Sequence, residues 1–231
     1  MDSLIQAVAI YALPVIFAIT LHEAAHGYVA RHFGDLTAYA QGRVSLNPLR
    51  HIDPMGTIAV PLALLAMAKW LGGPNILFGW ARPVPVNFGN LRNPKRDMLW
   101  VAAAGPLSNL AMAVLWAAVM AAGVALAGTG LAQPMALMGA AGVVINVVLL
   151  VLNLVPLPPL DGGRILVSLL PGRLAYRVSM VEPYGFLIVV MLLFSGVLSA
   201  VLWPIINLMV MLLSWAVGLD PRAAFLLLDR I

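Results

Sequence analysis

The sequence predicts an all-α polytopic membrane protein with about four to six membrane-embedded helices and a re-entrant or extended loop. Three observations carry that prediction. The first is composition: 62% of the 231 residues are hydrophobic and 10% are charged, against roughly 45–50% and about 25% in soluble domains. The second is that the charges leave long uninterrupted runs. The third is that the 13 Lys and Arg outnumber the 9 Asp and Glu and gather between those runs, as cytoplasmic loops of membrane proteins do. Together these exclude an ordinary soluble enzyme, a disordered chain and a nucleic-acid partner. There is no cysteine, so disulfides, iron–sulfur clusters and thiolate nucleophiles are excluded, and any metal must be held by His, Asp or Glu.

The runs without charge are 3–21, 98–160 and 183–219. A spanning helix needs about 20 apolar residues. The first span is expected over 4–30, with polar residues in its second half. The run 98–160 is too long for one span. Gly128-Thr129-Gly130 and Gln133-Pro134 mark a turn within it, giving spans over 98–127 and 134–155. The last run gives a span over 186–203, which Pro204 breaks or kinks. A short apolar continuation follows at 205–217, re-entrant or interfacial. A second short apolar segment, 54–72, contains Pro61 and Lys69 and reads as a short helix, a half-span or part of a hairpin. The whole of 1–231 is expected to be a single integral membrane domain.

Eight basic residues lie between Arg31 and Arg96, and none precedes Arg31. Arg164, Arg173 and Arg177 follow the third span, whereas the 128–133 turn has no Lys or Arg. The positive-inside rule then puts the N-terminus outside and 31–97 and 156–185 in the cytoplasm. The expected location is a cell membrane crossed several times.

The chemistry starts at Leu21–Tyr28, LHEAAHGY. His22 and His26 are four residues apart, so on a helix they lie about 40° apart around the axis and face one ion. Glu23 points about 100° away from His22, where it serves as a general base without being a ligand. Ionisable residues inside a span are costly and usually functional; the blander alternative is a pair of polar histidines facing a water-filled cavity. Catalytic zinc takes three protein ligands and leaves one position open. Three residues are candidates for the third. His32 follows at a spacing reminiscent of a longer histidine motif, but Val29 stands where that motif needs a turning glycine. Glu182 precedes Pro183 at the start of the last run. Asp161 lies in Asn153–Arg164, NLVPLPPLDGGR, where Pro156, Pro158 and Pro159 interrupt the helix; such broken backbone is tolerated at membrane depth where it lines a polar cavity. The alternative for Asp161 is a helix-terminal pair with Arg164.

Two further polar features belong to this reading. Asn109 and Asn153 sit in apolar segments and either binds substrate backbone or a developing oxyanion, or joins helices. Pro83 and Pro85 alternate with Val84 and Val86 in 78–88. That segment reads as an extended edge strand that pairs with substrate through Gly79, Trp80, Ala81, Val84 and Val86, or as a structural re-entrant loop. His51 and Asp53 read as a loop contact.

The pair formed by His22-Glu23-x-x-His26 and Leu160-Asp161-Gly162 resembles the site-2 protease family of intramembrane zinc metalloproteases. Gly27 after the second histidine, GPLSN at 105–109 and Asn153 ahead of the proline run resemble further elements of the family, and FGWARPVPVN at 78–87 looks like its compact prokaryotic branch, without room for a PDZ-like or CBS-like domain. The resemblance implies that His22, His26 and Asp161 hold one Zn2+ per chain and that Glu23 is the catalytic base. It implies an intramembrane metalloendopeptidase that hydrolyses peptide bonds of membrane-spanning substrate proteins within the lipid bilayer, in regulated intramembrane proteolysis. The site would open toward the cytoplasm, and the resemblance implies a prokaryotic inner or plasma membrane. A homo-oligomer or a regulatory membrane partner is left open. The rival from another class is a metal-ion or proton transporter built on the same His/Asp cluster, and a third reading is an inactive membrane scaffold.

Overall fold

The computed structural model describes residues 2–60, 63 and 82–229. It is built of helices: α1 (Asp2–His32), α2 (Thr37–Ala40), α3 (Pro94–Ala125), α4 (Ala132–Asn153), α5 (Asp161–Leu169), α6 (Gly172–Ser179), α7 (Glu182–Phe194), α8 (Val197–Ala216) and α9 (Ala223–Leu228). No strand occurs among the described residues. Four helices are long and apolar enough to cross a membrane: Ile5–His32, Pro94–Ala125, Ala132–Asn153 and Val197–Ala216. The pair α6 and α7, bent by 61°, makes a fifth crossing if counted as one span. The all-α polytopic expectation is met.

The central helix is α4. In its most apolar stretch 61% of the residues are buried, against 22–33% in the other three long helices. It packs most extensively on α3, and small residues make that packing close. A Cβ on Gly139 would collide with the Met120 backbone, one on Gly142 with the Trp116 indole and one on Gly123 with the Ala136 backbone. Between apolar helices in lipid there is little hydrophobic drive, so such close van der Waals contact supplies the association. Val143, Val147 and Val210 fill the seam without exposure.

The start of α3 lies further upstream than 98. Pro94 takes a first-turn position, where its missing N–H costs nothing, and the Asp97 carboxylate accepts from the Asn93 N–H at 2.7 Å. Lys95, Arg96 and Asp97 therefore begin a helix of 32 residues, about 48 Å long, which overshoots a hydrocarbon core of about 30 Å.

The last run also departs from expectation. The chain breaks at Ser195–Gly196, not at Pro204. Gly196 adopts φ +76°, a left-handed conformation that favours glycine. Helix α8 then runs unbroken through Pro204 to Ala216, so 186–203 is not one span and 205–217 is not a separate segment. A proline within a helix removes one hydrogen bond, which packed neighbours in a membrane tolerate; Pro14 in α1 and Pro106 in α3 are both fully buried. Of the 54–72 segment, Pro54–Ala59 forms a π-helical turn capped by Asp53, whose carboxylate accepts from Gly56 N–H at 2.7 Å; most of the rest lies outside the described residues.

Candidate metal centre and active site

Helix α1 carries His22 and His26 on one face, toward α3 and the start of α5. Their Nε2 atoms lie 3.1 Å apart. Asp161 is the first residue of α5, and its Oδ2 is 3.3 Å from His22 Nε2 and 3.4 Å from His26 Nε2. The opposite ring nitrogens are committed elsewhere. His22 Nδ1 donates to Asn109 Oδ1 at 2.6 Å and His26 Nδ1 to the Val101 carbonyl at 2.7 Å. A carbonyl oxygen only accepts, so each imidazole has its proton on Nδ1 and turns the Nε2 lone pair inward.

Three acceptor atoms thus face one another, and the buried Asp161 Oδ2 has no hydrogen-bond donor among the described residues. Three converging lone pairs without a proton repel unless a cation sits among them. The two separations to Asp161 match the edge of a tetrahedron with metal–ligand bonds of about 2.0–2.1 Å, which is about 3.3–3.4 Å, and the His22–His26 separation of 3.1 Å is slightly shorter. The donor set of two imidazoles and a carboxylate is one that zinc accepts. The residues therefore fit a metal ion, and His22, His26 and Asp161 form the metal-compatible cluster among the described residues.

Asp161 reaches this point because glycines let α5 begin against the preceding turn. A Cβ on Gly162 would strike the Leu154 carbonyl, and one on Gly163 the backbone of Leu157 and Pro158. On the opposite side, Gly105 of α3 presses on both imidazoles. A Cβ there would fall inside contact distance of His26 Nε2 and His22 Cε1.

Beside the cluster a cavity of about 590 Å3 opens, lined by Glu23, Val84, Val86, Asn153, Arg164 and Phe186 among others. Glu23 Oε2 accepts from the Val84 N–H at 2.7 Å. The segment bearing Val84 is strapped in place from outside: Arg43 Nη2 donates to the Arg82 carbonyl at 2.8 Å and the Pro83 carbonyl at 3.3 Å, and Arg82 N–H donates to the His51 carbonyl at 2.9 Å. Arg43 is buried. Burial and the nearby Arg82 lower its pKa from the ordinary value, and the Glu23 carboxylate acts against that shift.

The sequence of this chain is 40% identical over 202 residues to the Bacillus subtilis protein named "Putative zinc metalloprotease YwhC", covering 84% of each chain. The chain belongs to peptidase family M50. The family's own profile matches residues 125–196, which contain Asp161 but not the two histidines. A further relative, "Putative zinc metalloprotease Rip2" of Mycolicibacterium smegmatis, is 31% identical over 184 residues, which cover 80% of this chain and 66% of that one. No solved structure matches. The protein is thus a metalloprotease of the site-2 protease family and, with its four apolar helices, a multi-pass membrane protein.

Within this M50 chain the other candidates separate clearly. Glu182 pairs with Arg164 at 3.3 Å on the surface. That contact also takes the partner expected for Asp161. His32 stacks edge-to-face on Phe33 at the end of α1, away from the cluster. Asn153 lines the cavity and donates to the Leu149 carbonyl at 2.9 Å. Asn109, considered for substrate or oxyanion contact, is fully buried. Its amide donates to Asn146 Oδ1 at 3.0 Å and to the Ala18 carbonyl at 3.3 Å, so it faces His22 rather than the cavity. Gly79, Trp80 and Ala81 lie outside the described residues. Residues 82–87 carry no strand ladder, and Val84 has its N–H on Glu23. His51 and Asp53 each bond backbone: His51 Nε2 donates to the Ser45 carbonyl at 2.8 Å, and Asp53 caps the turn at Pro54.

Gly105, Val101, Asn146 and Arg43 were not singled out as individual functional positions by the sequence. Gly105 had a signal as the first residue of GPLSN, and Asn146 as a polar residue inside the charge-free run 98–160.

Proposed function

We propose that this protein is an intramembrane zinc endopeptidase that cleaves membrane-spanning proteins. The observation that carries the proposal is the convergence of His22, His26 and Asp161 beside Glu23 on the wall of a cavity. One Zn2+ per chain would be held by His22 Nε2, His26 Nε2 and Asp161 Oδ2. Bound there, zinc supplies Lewis acidity and makes a water nucleophilic near neutral pH. Glu23 takes the proton of the attacking water on its carboxylate and delivers it to the leaving amine. The Val84 N–H on Oε2 holds that carboxylate in one orientation. Asn153, on the cavity wall, is placed to donate to substrate backbone or oxyanion.

A spanning substrate helix hides its peptide groups in its own hydrogen bonds, so it must unwind before cleavage. The stretch 82–87, with Val86 on the cavity, flanks the route such an unwound segment would take, consistent with backbone pairing to substrate. The excess of Arg and Lys in 31–97 and 156–185 supports a site opening to the cytoplasmic side of the cell membrane, with the N-terminus outside.

The test pairs two measurements on the purified full chain. Asp161→Ala is expected to lose stoichiometric zinc. Glu23→Gln is expected to keep zinc and lose cleavage of a model membrane-spanning substrate by about 100-fold or more. Full zinc in Asp161→Ala would remove the ligand assignment. Cleavage by Glu23→Gln near the wild-type rate would remove the mechanism, and metal transport by a chain with no cleavage activity would favour the transporter.

A further inference from the structure

The His22 imidazole is one end of a chain of buried amides that continues through two helices. Asn109 of α3 and Asn146 of α4 are both 0% exposed and lie in apolar surroundings. Burying a carboxamide there is unfavourable unless its hydrogen bonds are satisfied. These bonds form a single directed series. Asn146 Nδ2 donates to the Gly142 carbonyl at 2.8 Å. Asn109 Nδ2 donates to Asn146 Oδ1 at 3.0 Å and to the Ala18 carbonyl at 3.3 Å. Asn109 Oδ1 accepts from His22 Nδ1 at 2.6 Å.

The direction of the series comes from two backbone carbonyls, that of Gly142 acting through Asn146 and that of Ala18 acting on Asn109 directly at the longer distance. A side-chain amide can turn over and exchange its oxygen and nitrogen, and only its partners decide which way it sits. The Gly142 carbonyl cannot donate, so it claims the Asn146 nitrogen and turns the Asn146 oxygen toward α3. That oxygen and the Ala18 carbonyl, both acceptors, claim the Asn109 nitrogen. The Asn109 oxygen is then left for His22, and the His22 proton must sit on Nδ1. The outcome is an Nε2 lone pair aimed at Asp161 and His26. Were Asn109 turned over, its NH2 would face His22 and favour the other tautomer, with a proton on Nε2 where the metal would bind.

We infer that Asn146 is a positioning residue for the metal centre: as the nearer of the two acceptors that fix the orientation of Asn109, it sets the tautomer and ring orientation of His22. Asn146 touches neither metal nor substrate and acts only through Asn109. Partners of ligating histidines are worth 10–100-fold in metal affinity or activity, and Asn146 stands one step beyond such a partner. The inference rests on the zinc reading above.

The experiment measures Zn2+ affinity of the full-length protein in detergent against a competing chelator, alongside the melting temperature of each metal-free variant. Asn109→Ala is expected to weaken zinc by about tenfold or more. Asn146→Leu should weaken it by about three- to tenfold, and Asn146→Ala likewise if the leucine variant does not purify. Asn146→Asp is the rescue. Its carboxyl offers the Asn109 amide the same acceptor oxygen as the native side chain, and affinity should stay within about twofold of wild type. In Asn109→Ala, adding Asn146→Leu should cost no further zinc affinity, because the connection is already cut. Wild-type zinc affinity in Asn146→Leu with a lowered melting temperature would reduce Asn146 to packing and overturn the inference. Equal losses added together in the double variant would overturn it as well. A wild-type chain that binds no zinc would instead overturn the metal reading itself, and this inference with it.

Discussion

The two halves of the active site are built by different means. The metal cradle is made from helices, and its ligand atoms are aimed by regular backbone: His22 and His26 by the turn of α1, Asp161 by the first residue of α5. The base is controlled by irregular chain. Glu23 is bonded by Val84, and Val84 is held by Arg43, His51 and, a few residues on, Asp35, whose carboxylate accepts from the Asn87 N–H at 2.8 Å. The cradle is tightly packed; the strap is held by a few hydrogen bonds. Damage to the cradle should therefore remove the metal, whereas damage to the strap should leave the metal and slow the chemistry.

The largest effect is expected at Gly105. Its missing side chain is what lets α3 approach both imidazoles. In Gly105→Ala the new methyl needs the space of His26 Nε2 and His22 Cε1, and neither ring can withdraw without breaking its bond to Val101 or Asn109. Zinc content should fall by about tenfold or more, with cleavage lost in parallel, while circular dichroism still shows a helical protein. A zinc-loaded Gly105→Ala protein would mean that the cradle is softer than its packing implies.

This contrast also explains what was legible in the sequence. His22 and His26 could be read because helical periodicity brings residues four apart to one face without help from the rest of the fold. Asp161 was one of three candidates by residue type, and it stood out from Glu182 and His32 through its proline-interrupted backbone and the Leu160-Asp161-Gly162 motif. The structure separates them by what each one meets: Asp161 comes to His22 and His26 from far along the chain, Arg164 takes Glu182, and His32 stacks on its neighbour Phe33. The order of spans followed from the apolar runs, but the end of α7 did not. Pro204 carries the stronger textual signal of a break, yet the surrounding helix absorbs it, and the chain turns at Gly196 because glycine takes φ +76° there. Gly105, Asn146 and Arg43 matter through residues from other helices and loops; GPLSN and a polar residue in an apolar run mark the first two, but neither pattern records whom they meet.

A smaller effect than that of Gly105→Ala is expected in the strap. Arg43→Ala removes both bonds to the Arg82 and Pro83 carbonyls, and Val84→Pro removes the one N–H that reaches Glu23. Neither residue touches His22, His26 or Asp161. Both variants should retain stoichiometric zinc and lose about tenfold in kcat, the order associated with a mispositioned general base. Arg43→Lys keeps the charge but has no planar fork to span two carbonyls, so it should recover only part of the rate. Zinc lost together with activity would erase the distinction between the two halves. Full activity in Val84→Pro would show that Glu23 needs no bond from the strap.

The smallest expected effect is at the far end of the strap and appears as a pH dependence of stability. Asp35 is buried. Burial raises its pKa, but donation from the Thr37 hydroxyl and N–H, the Asn87 N–H and the Asn90 amide outweighs burial and holds the carboxyl below its ordinary value. A carboxylate whose pKa is lower folded than unfolded stabilises the folded chain fully above the unfolded value, about 3.9, and that contribution disappears as pH falls through the lowered folded pKa. In Asp35→Asn one oxygen becomes an NH2 that faces donors, so at neutral pH the variant should be less stable by about 1–3 kcal/mol. Melting temperatures of both proteins, measured in detergent from pH 7 down to pH 2, separate this group from every other titration, because the rest of the chain is shared. The gap between them should be constant near neutrality and narrow below about pH 4. A gap of the same size at every pH would mean that the Asp35 charge contributes nothing to holding the strap. The zinc content of Asp35→Asn at neutral pH should equal that of wild type, since the residue anchors the irregular half of the site and leaves the helical half untouched.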